Sequence, residues 1–259
     1  MVKNMIAWLF AGCLSLMAPP LVQAQVEGPS DSTPSGAGDR EACVNELQIG
    51  FTALEGGDGA LALSHYMKAL DLATGRELEF QALLGVGSAQ AALGQFSKAE
   101  APLERASDLA PDNPAIWYTL GSVYAASGRV DAALRALEES CRLNPTNAAA
   151  QYDRCLLYAG IENHGEAAKA CRLAAEADPN MEAAWVGEGV AHFHNGAYDE
   201  AGLAFERAVE LTPDDARAIY GLGLSRLYKG DLDGAMAQYV VLKGLDIDLA
   251  RDLYDRAFD

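Results

Sequence analysis

Residues 114–147 read PAIWYTLGSVYAASGRVDAALRALEESCRLNPTN, and their spacing decides the fold. Trp117, Leu120, Gly121 and Tyr124 recur at helical intervals and form one apolar stripe. Gly128 follows, where the chain must turn between helices. Ala133, Leu137 and Leu143 then trace a second helix. Pro145 cannot donate a backbone hydrogen bond, so it ends that helix and opens the next segment. Gly121 is small enough to let the two helices close, with Ala133 expected to face it.

The same punctuation recurs outward from this stretch. Pro111, Pro145, Pro179 and Pro213 stand 34 residues apart. That period divides the chain into segments 80–113, 114–147, 148–181, 182–215 and 216–249, with a weaker first one at 43–76 and three inserted residues. Segment 182–215 repeats the pattern with Trp185, Gly189, Gly196, Tyr198, Ala201, Phe205, Ala208 and Pro213. Segment 80–113 carries Gly87, Gly94, Phe96, Ala99, Leu103, Ala106 and Pro111. Segment 216–249 keeps Leu222, Gly223, Gly230, Leu232, Ala235 and Tyr239 but has Ile247 in place of proline. At the start, Ala62, Tyr66, Ala69 and Leu72 fit a second helix, whereas 43–54 makes a loose first one. At the end, 250–259 reads as an amphipathic capping helix.

Across residues 43–249 this pattern resembles the tetratricopeptide repeat family. The resemblance implies an all-α fold: a right-handed superhelical solenoid of six helix-turn-helix units, whose first helices line a concave, protein-binding surface. On that surface the fifth, ninth, twelfth and thirteenth places of each unit would point inward. They supply a candidate peptide groove of Tyr118, Tyr152, Leu156, Val190, Phe193, Tyr220, Leu224 and Tyr228. Small residues fill these places early in the chain and large apolar ones late, which suits an apolar helix or extended segment with tyrosine anchors. The competing reading is that these tyrosines only pack against neighbouring helices. Lys and Asn, with which some family members clamp a terminal carboxylate, are missing from the fifth and ninth places of 80–249.

Two further constellations stand out. Arg154 and Glu188 occupy a column otherwise filled by Val86, Leu120 and Leu222, on successive first helices. Helix axes at roughly 8–10 Å would let them meet. His192 lies one turn beyond Glu188, and Arg226 lies 34 residues beyond His192. The expectation is a partly buried network Arg154–Glu188–His192–Arg226, or alternatively a site for small carboxylate-bearing ligands near Arg154 and Arg226. Among the cysteines, Cys155 and Cys171 fall at similar heights on the two helices of one unit and are the preferred disulfide pair. The alternative is four small buried residues, Cys43, Cys141, Cys155 and Cys171, at apolar places.

Ahead of the repeats, Lys3, the apolar run from Met5 to Ala18 and Val22-Gln23-Ala24 read as a secretory signal, residues 1–24, cleaved after Ala24. The run is short for spanning a membrane, which needs roughly 20 residues; an uncleaved anchor is the alternative. Phe10-Ala11-Gly12-Cys13 resembles a lipobox, which would anchor the chain through Cys13 as an envelope or pilus assembly factor. Residues 25–42, rich in Gly, Pro and Ser, read as a flexible leader. Export points to a periplasm.

With 37 Asp and Glu against 19 Lys and Arg, the formal net charge is −18, which disfavours nucleic acid. His192 and His194 are two apart on a helix and face different ways, so they chelate no metal well, and His65 and His164 are isolated. No phosphate-cradling loop or nucleophile elbow appears. The reading is therefore a scaffold without catalytic site, metal or cofactor, whose partner is another protein or peptide.

Overall fold

The computed structural model describes residues 34–258, and these form thirteen α-helices without a strand. The signal segment, Cys13 and residues 25–33 of the leader lie outside the described residues. In chain order the helices are α1 (Pro34–Glu55), α2 (Gly59–Leu72), α3 (Arg76–Ala92), α4 (Phe96–Leu109), α5 (Pro114–Ala126) and α6 (Val130–Leu143). They continue with α7 (Ala148–Gly160), α8 (His164–Ala177), α9 (Glu182–His194), α10 (Tyr198–Leu211), α11 (Ala216–Lys229), α12 (Leu232–Leu245) and α13 (Ile247–Phe258). Contacts divide the chain into two halves, meeting between Asn144 and Pro145. Within each half, successive helices pair in chain order, as in a helical solenoid.

Second helices show why the pattern folds this way. Ala99, Leu103 and Ala106 on α4 recur at i, i+4 and i+7, and so do Ala201, Phe205 and Ala208 on α10; all six are buried. One face of each such helix therefore leaves water. Burial of a side chain such as Leu103 or Leu137 contributes about 1.5–3 kcal/mol. These side chains meet the small residues of the first helices. A methyl group on Gly121 would come within 2.6 Å of Leu137, and one on Gly189 within 2.9 Å of Phe205. Leu137, rather than the expected Ala133, is thus what Gly121 admits, because the longer side chain lies deepest between the helices.

The prolines do more than stop helices. Trp117 Nε1 donates to the carbonyl of Pro111 at 2.7 Å, and Trp185 Nε1 donates to that of Pro179 at 3.0 Å. Each indole ties the first helix of a repeat to the loop before it. Asn113, Asn147 and Asp215 cap α5, α7 and α11 by accepting early backbone N–H groups. Arg76 closes the other end of α4, donating to the carbonyls of Leu109 and Asp108.

Both ends differ from expectation. Helix α1 begins at Pro34, inside the segment read as leader, because proline suits a first helical position and 37–48 contains few residues that oppose a helix. Its buried Cys43 and Leu47 pack with Tyr66 and Leu78. At the other end α13 starts at Ile247, three residues before the expected cap. Asp246 makes this possible by accepting from the backbone N–H groups of Asp248 and Leu249 at 3.0 Å each. Ala250 and Leu253 of α13 are buried against Ile219 and Leu242.

Candidate functional site

The expected groove residues do not all lie in one kind of place. In the N-terminal half, Tyr118 is half-buried on α5, a helix that carries no charged side chain from Pro114 to Ala126. In the C-terminal half, Leu156, Val190 and Leu224 stand at the same place on α7, α9 and α11. Val190 is 41 % exposed, and Leu156 is half-buried. Leu224 instead packs against the cluster around Leu253.

Two of the expected anchors have structural work. Tyr152 packs against Cys155, Cys171 and Ala174, with its ring near Gly187. Tyr220 donates its hydroxyl to Asp252 of α13, which fastens the last helix to the last repeat. Burial, and after it Asp252, pushes the Tyr220 hydroxyl up to about 12, so the phenol stays a donor. Arg256, which donates to Asp252 at 2.6 Å, is the main cause holding that carboxyl below its ordinary value. Both tyrosines are half-buried, and each makes the helix-packing contacts that the competing reading expects.

Phe193 and Tyr228, by contrast, come together with Tyr198. Ring centroids lie 5.4 Å apart for Phe193–Tyr198 and Phe193–Tyr228, and 5.3 Å apart for Tyr198–Tyr228. His194 touches Phe193 and stacks on His164 at 4.9 Å. The sequence treats His164 as isolated. The helix pair α8–α9 brings the start of one helix to the end of the next, a juxtaposition that spacing along a single helix does not show.

The polar network has a different partner from the expected one. Glu188 is buried, and its Oε1 accepts from Nε of Arg172 at 2.7 Å, with Nη2 also at 2.7 Å. His192 Nε2 stands 3.5 Å from the same oxygen, and 3.4 Å from Arg172. Arg226 is engaged by Glu206 of α10 at 2.9 Å, and Arg154 donates to Gln151 and lies over the Tyr158 ring. Arg172 belongs to a second helix, and the expectation considered first helices alone. A signal was available, since the same place in three other repeats is Glu104, Glu138 and Glu206, with the opposite charge, whereas in the last it is apolar Val240.

Cys155 and Cys171 are joined by a disulfide between α7 and α8, with Cα atoms 5.1 Å apart, whereas Cys43 and Cys141 are buried and take no part in a disulfide. Cys43 donates to the carbonyl of Ala69, and burial pushes its thiol up. Among the described residues there is no group of three or more potential metal ligands, and no helix is long and apolar enough to cross a membrane.

Helix pairs packed in chain order define a repeat scaffold. The tetratricopeptide repeat family models match residues 90–152 in one form, and residues 47–114, 176–216 and 203–246 in another. The chain belongs to the tetratricopeptide repeat family, whose members are generally scaffolds that bind proteins or peptides. Similar solved structures include a tetratricopeptide repeat protein from Parabacteroides merdae, 20 % identical, with a TM-score of 0.60 over 84 % of this chain and 86 % of that one. MamA is 26 % identical, with a TM-score of 0.58 over 68 % of this chain and 95 % of its own. YrrB, described as having an unusual peptide-binding site, is 21 % identical, with a TM-score of 0.57 over 72 % and 94 %. No curated protein sequence matches the chain.

Proposed function

We propose that this protein is a non-enzymatic scaffold of the bacterial cell envelope that holds an apolar helix or extended segment of a partner protein on its first-helix faces. The observation that carries this reading is Val190, an apolar side chain 41 % exposed on α9 in the column it shares with Leu156. A position serving only the core would be covered, as Ala191 beside it is. Helix α5, in the N-terminal half, carries no charged side chain. Envelope assembly, secretion or pilus biogenesis are the processes such a scaffold would serve.

Export is supported from two sides. The N-terminal segment has the composition of a secretory signal. Independently, the disulfide between Cys155 and Cys171 belongs to chemistry that persists in oxidising compartments. Binding of small carboxylates near Arg154 and Arg226 is the weaker reading, because Glu206 already engages Arg226.

In-cell crosslinking with mass spectrometry tests the proposal, comparing the wild type with a Leu156→Ser/Val190→Ser variant. A partner captured by the first and lost from the second supports the first-helix face. Equal capture by both would remove it.

A further inference from the structure

We propose that the aromatic edge at the α9–α10 and α11–α12 turns docks a cationic segment of a partner protein, in which lysine or arginine side chains alternate with apolar ones. The proposal rests on the reading of the chain as a protein-binding scaffold, but not on the column of Leu156 and Val190. Its structural basis is the contact of Tyr198, which opens α10, with Tyr228, near the end of α11. This contact draws two successive helix turns together over Phe193. Tyr228 is 50 % exposed and Leu232, which opens α12, is 40 % exposed, so the edge offers ring and aliphatic surface to a partner.

The charge around these rings selects the occupant. Asp199 and Glu200 follow Tyr198, and Asp231 and Asp233 flank Leu232; all four are exposed. Against them stand Lys229, paired with Asp199, Arg226, which lies beside Gly234 and pairs with Glu206, and Arg256, which pairs with Asp252 and also bonds Tyr228. Carboxylates therefore outnumber cations at the turns, in a chain whose net charge is −18. A cation over the face of a tyrosine is attracted by the ring quadrupole, and neighbouring carboxylates add to that attraction. The same charge repels a second copy of this chain and any acidic segment. Alternating cationic and apolar side chains would match both the rim and the rings.

The test is a fluorescence-anisotropy titration of the full chain with a labelled peptide alternating lysine and leucine, beside its glutamate–leucine counterpart. The lysine peptide should bind and the glutamate peptide should not. Tyr228→Ala and Glu200→Lys/Asp233→Lys should each weaken binding about tenfold, while Leu156→Ser/Val190→Ser leaves it unchanged. Circular dichroism melts of the exposed-site variants establish that they fold. Equal affinity for both peptides, no binding of the lysine peptide, or binding unaltered by Tyr228→Ala would overturn the proposal. Loss in the Leu156→Ser/Val190→Ser variant alone would also overturn it and move the site to the first helices, leaving the scaffold reading intact. Concentration-dependent self-association abolished by Tyr228→Ala would give the edge to a second copy, and would likewise end the proposal.

Discussion

Cys155 and Cys171 occupy the two places that neighbouring repeats fill with a glycine and a large apolar side chain. Gly121 faces Leu137 and Gly189 faces Phe205 in the equivalent positions, whereas residues 148–181 carry a sulfur–sulfur bond there. The disulfide also touches the next repeat, since a methyl group on Gly187 would meet Cys171 Sγ at 2.5 Å. Phe205 has the same relation to Gly221. A covalent link thus stands in for the wedge that joins one repeat to the next.

Reduction should therefore weaken this repeat. Closing the 16-residue separation contributes roughly 3 kcal/mol in the chain-entropy model. A Cys155→Gly/Cys171→Leu variant restores the pair used elsewhere and should fold without responding to reductant. Urea unfolding with and without a dithiol measures both. An unchanged wild-type midpoint, with every cysteine titrating as a thiol in the unreduced protein, would remove the staple.

Much of this architecture was legible because the family period places equivalent residues at equal distances in the sequence. The prolines, the glycine columns and the apolar positions of the second helices repeat without knowledge of any contact. Side-chain direction was less accessible. Tyr220 and Tyr228 lie on the same helix, yet one is bonded to Asp252 and the other is half exposed. Both meet α13, Tyr220 through Asp252 and Tyr228 through Arg256, but Tyr220 lies deeper beneath it, and the start of that helix at Ile247 depends on the Asp246 cap. Arg172 was missed for a related reason: a column compares like helices, whereas this ion pair crosses from a second helix to a first.

The ion pair of Arg172 and Glu188 should respond asymmetrically to mutation. Arg172 has 53 % of its side chain exposed and Glu188 has 3 %. Arg172→Ala strands a buried carboxylate with His192 as its remaining neighbour, and should cost about 3–5 kcal/mol. Glu188→Gln leaves an arginine that can turn to water, and should cost about 1–2 kcal/mol. Chemical denaturation of the two variants compares them. Equal losses would mean that burial of the carboxylate does not govern this site.

Glu162 bears a strain that the other repeats avoid. Gly57, Gly94, Gly128, Gly196 and Gly230 turn between paired helices with positive φ, and Glu162 holds the same place with φ 59°. Side-chain sterics make that region unfavourable by about 1–2 kcal/mol for a residue with Cβ. Glu162→Gly should stabilise the protein by about 1 kcal/mol after glycine's greater unfolded freedom is set against the relief. The melting temperature should rise by about 2–4 °C. A fall on substitution would show that the glutamate makes a compensating interaction.

Glu182, at the start of α9, and Asp215, which caps α11, are neighbouring carboxyls whose pKa values are pushed apart. Burial, followed by the hydrogen bond and charge of Asp215, raises the Glu182 carboxyl above its ordinary value. At Asp215 burial acts upward, but the bond from Glu182, the backbone N–H of Arg217 and the Arg217 charge together lower it. The raised group favours folding while protonated, and its contribution is lost as pH rises through the folded Glu182 value. The lowered group favours folding while ionised, and its contribution is lost as pH falls through the folded Asp215 value. Stability from the pair should therefore be greatest in an acidic window, above the Asp215 value and below the raised Glu182 value, and should decline toward neutrality. Glu182→Gln keeps a donor toward Asp215 without a titrating proton, and should abolish the decline on the alkaline side. Urea midpoints measured from about pH 4 to about pH 8 for both proteins give the answer, because the ordinary glutamate value of about 4.3 lies inside that range. If the wild-type and Glu182→Gln curves stay parallel throughout, the Glu182 carboxyl does not contribute to the pH dependence.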